Sequence, residues 1–204
     1  MLWKSPKFAS FPSMDTASRS KRLAAIKALL KDPSEEVRRA ASHALDTLEA
    51  TDSLECVLET LKKGDRAAKI RSIYALGRIG GDQVLPVLLY CAGRDEEEIR
   101  CAAVKVLGEL ARPEARGALL GKLQDPSRAV RALAIEALSG YRDPSLVPIL
   151  VPFLAEQDGM LDAEAALALG PIGDHTLVEP LIKLLVSPHE KTRAAAATAL
   201  SQLP

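Results

Sequence analysis

The chain has 204 residues, 48% apolar and only 3% aromatic, which is enough aliphatic material for a core without large rings. Lys and Arg together number 27, as do Asp and Glu, so no global field draws the protein to nucleic acid or an anionic surface. No stretch approaches the roughly 20 apolar residues of a membrane span, and Met1–Leu2–Trp3 runs into Lys4–Ser5–Pro6 rather than a secretory apolar core, so a cytoplasmic location is expected.

Residues 1–18 form no repeat. They hold Trp3, Phe8 and Phe11 among Pro6, Pro12 and several serines, and read either as a cap over the following helices or as an aromatic, basic arm for a partner or a membrane surface. Residues 1–31 carry seven basic side chains against Asp15 alone, so this end is locally basic.

From residue 19 to 204 the chain repeats every 31 residues without insertion. One column is leucine throughout: Leu45, Leu76, Leu107, Leu138, Leu169, Leu200. A second reads Ile26, Val57, Leu88, Leu119, Leu150, Leu181, and a third Leu30, Leu61, Ala92, Leu123, Leu154, Leu185. A period of this length marks a solenoid whose units bury their apolar faces on one another. The expected units are 19–49, 50–80, 81–111, 112–142, 143–173 and 174–204. Each reads as two helices. In the first unit Leu23, Ile26, Leu29 and Leu30 fall at helical spacing, and Val37, Ala41, Ala44, Leu45 and Leu48 form the second apolar face. Between them Asp32–Pro33–Ser34–Glu35–Glu36 is a turn and helix start, with the aspartate as expected cap and acids at the positive end of the helix dipole. The signal returns at Asp125–Pro126–Ser127 and Ser187–Pro188, and second helices stop at Gly80 and Gly173. Cys56, Cys91 and Cys101 have no metal spacing and read as reduced, packing cysteines.

The second helices carry a recurrent pattern: Val37–Arg38–Arg39–Ala40–Ala41, Ile99–Arg100–Cys101–Ala102–Ala103 and Val130–Arg131–Ala132–Leu133–Ala134, leading to Ala44–Leu45, Val106–Leu107 and Ala137–Leu138. This resembles the HEAT repeats, in particular the short HEAT-like class of phycobilisome lyase subunits and many bacterial proteins. The resemblance covers residues 19–204 and implies an all-α, right-handed α-solenoid of six helix pairs. It leaves the function open among scaffolds, lyases and hydroxylases. The hydroxylases of this class hold two irons through His–Glu pairs directly after the Val–Arg of their second helices. The corresponding pairs here are Arg39–Ala40, Ile70–Arg71, Cys101–Ala102, Ala132–Leu133, Ala163–Glu164 and Ala194–Ala195, so that centre is not expected. His189–Glu190 lies instead in the last inter-helix turn. No cofactor, metal or catalytic residue is assigned.

The column Arg38, Lys69, Arg100, Arg131, Asp162, Arg193 sets a cation at the start of most second helices, where the dipole disfavours it. The resemblance implies that Arg38, Lys69, Arg100, Arg131 and Arg193 form a structural ladder with turn acids such as Asp32, Asp65, Asp95, Asp125 and Glu156; a phosphate-binding row is the alternative. Asp162 inverts the column in a fifth unit that also holds Pro148, Pro152 and Gly159, so this unit is expected to be irregular, with its charges in water, or to serve as a hinge or an acidic contact site for a basic partner.

The free face of the second helices carries Arg39, His43, Arg71, Tyr74, Arg78, Lys105, Glu109 and Glu136. It is the candidate partner-binding face of a protein-interaction scaffold. Two alternatives use the same face: a bilin lyase-like, chromophore-handling site, implied by the resemblance, and a grip on a nucleic-acid backbone, which Glu109 and Glu136 disfavour. The alanines of 194–197 leave room for weak self-association through the last repeat.

Overall fold

The computed structural model describes residues 16–203, with side chains described for all of these except 16–19, 43 and 46–53. The expected arm residues Trp3, Phe8 and Phe11 lie outside the described residues. Every regular element described is helical. The chain divides into two compact units, residues 1–72 and 73–204, and the division falls within a helix.

In the first unit, helix α1 (Thr16–Leu29) starts inside the expected arm and pairs with α2 (Glu35–Lys63). Helix α2 runs through the expected boundary at residues 49 and 50. The reason is local: Leu48–Glu49–Ala50–Thr51–Asp52 contains no helix breaker, whereas Gly80 and Gly81, one period later, take left-handed φ of 67° and 79° and end α3 (Arg66–Ile79). Ala41, Leu45, Leu54 and Leu61 are the buried apolar residues described in this unit.

The second unit continues with α4 (Leu85–Ala92), α5 (Glu97–Leu110), α6 (Arg116–Lys122), α7 (Arg128–Ser139), α8 (Val147–Leu150), α9 (Leu161–Leu169), α10 (Val178–Leu184) and α11 (Glu190–Gln202). Second helices pack in series, α5 on α7, α7 on α9 and α9 on α11, while α4, α6 and α10 each lean on the helix that follows. Leu76, Leu107, Leu138 and Leu169 of the leucine column are fully buried, as are Leu88, Leu119, Leu150 and Leu181 of the second column. Each such leucine contributes about 1.5–3 kcal/mol of transfer free energy.

Close approach between second helices depends on glycine one position after the leucine column. A Cβ on Gly77 would lie 2.7 Å from Cγ1 of Val106, one on Gly108 2.6 Å from Cβ of Ala137, and one on Gly170 2.8 Å from Cα of Ala199. Small residues thus serve the stacking itself. Ala195, Ala196 and Ala199 of the alanine-rich last helix are buried in the same way.

The first helix of the fifth repeat is broken. A 3₁₀ turn at Pro144–Leu146 leads to the single turn α8, and a second 3₁₀ stretch covers Val151–Ala155. Pro148 and Pro152 remove two amide donors from this segment, which accounts for the loss of a regular ladder.

Candidate functional site

The turns between paired helices are built by arginine and aspartate acting on different atoms. Arg38 Nη1 donates to the carbonyls of Asp32 and Pro33 (2.7 and 3.0 Å) in the first unit. In the second unit Arg131 Nη1 donates to those of Asp125 and Pro126, and Arg193 Nη1 to those of Ser187 and Pro188. Each guanidinium folds back onto the turn preceding its own helix, which satisfies backbone acceptors and answers the dipole objection. Lys69, with no guanidinium fork, makes no such bond.

Arg100 does more. Its Nη1 donates to the carbonyls of Arg94 and Asp95, while Nε and Nη2 donate to Asp125 Oδ2 and Oδ1 of the next repeat, both at 2.9 Å. Arg100 is 8% exposed and Asp125 6%, so this bidentate pair sits out of water. Burial opposes ionisation of Asp125, but donation from Arg100, the Ser127 N–H and Lys122 outweighs it and holds the carboxyl below its ordinary pKa. Asp65 caps α3 by accepting from the Ala68 amide at 2.7 Å, but Asp32 and Asp125 do not cap as expected. Asp32 and Asp125 accept from the amides of Ser34 and Ser127 two residues on, and the Ser127 hydroxyl then caps α7 by accepting from the Val130 amide.

A second set of links was not legible in the period. Arg112 pairs with Asp82, the Tyr141 hydroxyl donates to the Arg112 carbonyl at 2.6 Å, and Arg116 donates to Asp143 Oδ2 at 2.7 Å. The sequence signal of the two ion pairs is opposite charge at separations of 30 and 27 residues, and the tyrosine bond has none.

The fifth repeat corrects two expectations. Asp162 is not in water but fully buried: Oδ1 accepts from the Ala163 amide, and Oδ2 has no hydrogen-bond partner. Thr192 Oγ1, one repeat on, is likewise buried and unpaired. Asp158 is committed as well, its Oδ1 accepting from the amides of Met160 and Leu161 at the start of α9. The acidic residues of this repeat therefore do not form one exposed contact site. Cys91 is buried and Cys101 half-buried, but Cys56 is exposed, contrary to a packing role.

The candidate binding face falls in both units. Arg39 and Arg71 are exposed in the first, where Arg39 pairs with Glu35 one helical turn away; His43 lies in α2. Arg78, Lys105, Glu109 and Glu136 are exposed in the second, with Tyr74 half-buried, and their side chains make no hydrogen bond or ion pair. Glu164, half-buried near Glu136 and Lys191, has its pKa raised first by burial and then by the Glu136 charge, against a smaller opposing effect of Lys191. Among the described residues no group of three His, Cys, Asp or Glu side chains converges to hold a metal, and no helix is long and apolar enough to cross a membrane.

Paired helices in register, arginine-braced turns and glycine-thinned contacts between second helices define an α-helical repeat protein. The chain belongs to the HEAT-repeat family, whose profile matches residues 23–99, 91–161 and 147–204. Among solved structures it is similar to the complex of CpcE and CpcF of phycocyanin lyase from Nostoc sp. PCC7120, at 22% identity and TM-score 0.64. That likeness covers 74% of this chain but only 64% of that chain. It is also similar to YibA of Escherichia coli (18% identity, TM-score 0.62, 93% of this chain and 75% of that one). An engineered protein is similar at 21% identity and TM-score 0.52, over 89% of this chain and 96% of that one. At these identities the likeness concerns the fold. No curated protein matches the chain.

Proposed function

We propose that this protein is a non-catalytic scaffold that binds another protein through the free face of its second helices. The observation that carries this reading is the set Arg78, Lys105, Glu109 and Glu136: side chains exposed on successive second helices of one unit and not engaged with one another. Mixed charge on an extended surface suits a protein partner, and stacked helix pairs commonly present such surfaces. It suits a phosphate backbone poorly, because Glu109 and Glu136 repel it. The test is affinity capture from the native lysate with the intact chain and with an R78A/K105A/E109A/E136A variant of unchanged melting temperature. The expected result is a protein retained by the first and lost by the second. Retention by both would rule out this face, and retention by neither would rule out the scaffold.

A second reading draws on the likeness to the phycocyanin lyase complex. On it, Arg78 and Lys105 would meet the propionates of a linear tetrapyrrole and Tyr74 its rings. A bilin mixed with the purified protein should then change its absorption spectrum, and an unchanged spectrum removes the reading.

A further inference from the structure

A groove of about 470 Å³ lies between the broken first helix of the fifth repeat and α10 of the sixth. Its walls are aliphatic: Val151 and Leu154 on one side, Pro180 and Leu184 on the other. Two features of its lining bear on what it holds. Lys183, the one charged residue of the lining, has no ion pair or hydrogen bond. Val186, at the edge, is 86% exposed, the most exposed large apolar side chain described.

We propose that this groove docks a partner polypeptide segment carrying aliphatic side chains followed by a carboxylate. The aliphatic walls take the anchors, and the free ammonium of Lys183 pairs with the acid. The volume is that of a ligand-sized cleft, about 300–1,000 Å³, but Val186 lines the groove and is still 86% exposed, so most of it is covered only by an occupant that extends past the walls. A chain running out past the rim covers it. A basic segment is opposed by Lys183, since like charge across an interface is costly. The groove lies on first helices and their turns, so it stands or falls apart from the second-helix face proposed above.

The test uses the full ¹⁵N-labelled chain and three synthetic peptides: one with two leucines followed by glutamate, one with lysine in place of the glutamate, and one with serines in place of the leucines. The glutamate peptide should shift amide resonances of residues 151–157 and 181–187, and the other two should bind more weakly. The lysine peptide should be weaker by about three- to fivefold, the scale of one exposed ion pair. In K183E the preference between the two charged peptides should invert, a gain that misfolding does not mimic, and V186D should weaken both. Equal response to both charges, or none to any peptide, overturns the proposal. So does self-association of the peptide-free chain that V186D abolishes, which would make the occupant a second copy.

Discussion

Arg100 and Asp125 illustrate why a column of like residues need not be a column of like energies. Both Arg100 and Arg131 brace their own turns, but only Arg100 also reaches a buried carboxylate in the next repeat. Removing Arg100 leaves Asp125 buried with Lys122 as its remaining cation at 3.2 Å. R100A should therefore lower unfolding free energy by about 3 kcal/mol, and R131A by about 1 kcal/mol, the scale of an ordinary hydrogen bond. The pH dependence follows from the lowered pKa of Asp125. Its stabilisation is complete above the ordinary aspartate pKa and is lost as pH falls through the folded value. R100A should flatten that acid limb in urea titrations. Equal losses for the two variants would mean that the inter-repeat pair adds nothing. The arginine column itself was legible in sequence. Which member meets a carboxylate was not, because it depends on the acid one repeat later: Asp125 follows Arg100, but Glu156 and Ser187 stand at the next two equivalent positions.

Glu164 carries the opposite sign. Its pKa is raised in the folded protein by burial and by Glu136, so the native state holds its proton more tightly than the unfolded chain. Stability from this group is present at low pH and declines as pH rises through the window between the unfolded and folded pKa values. Glu164→Gln should thus raise the melting temperature at neutral pH and leave it nearly unchanged near pH 4, the ordinary carboxylate range. A neutral-pH loss would show that the carboxylate is held by a favourable contact.

At the scale of elements, the fifth repeat shows how a broken rule in the sequence becomes a property of the fold. Pro148 and Pro152 were a visible signal of irregularity, and the helix they interrupt is one α turn followed by 3₁₀ structure. Leu150 and Leu154 stay buried at 0% and 6% exposure, so the apolar columns are kept while the backbone ladder is not. The hydrogen bonds of such a segment are geometrically poorer and open more readily. Amides of Ile149, Val151 and residues 153–155 should exchange faster than those of α6 and of α10, the neighbouring first helices. Uniform protection across the three would show that side-chain burial alone sets the opening free energy. The burial of Asp162 was beyond reach from sequence. A charged residue reads as solvated, yet the column that holds Asp162 also holds Arg100, which is 8% exposed.

For the whole molecule, six equal periods do not make six equal bodies. The columns run unbroken from residue 19, yet the chain divides between Ser72 and Ile73, within α3, and α2 continues where a turn was expected. Periodicity reports which residues face a core; turn chemistry decides where helices end, and Ala50–Thr51–Asp52 supplies none. Burial of the columns is uneven: in the first unit Leu29 and Leu30 are 44% and 40% exposed, whereas in the second Leu88, Leu119, Leu150 and Leu181 are fully buried and Leu185 is 37% exposed. Since repeat arrays lose cooperativity when one neighbour interface is weak, the first unit should open at lower free energy than the second. Trypsin, which needs local unfolding to cut helical sites, should act first at Lys31, Arg38, Arg39, Lys62 and Lys63, and leave a resistant fragment beginning near Arg66. That fragment should retain the peptide response of residues 151–157, because the groove belongs wholly to the second unit. First cuts within residues 73–204 would show instead that the second unit opens first, and simultaneous loss of both halves that the two units unfold as one.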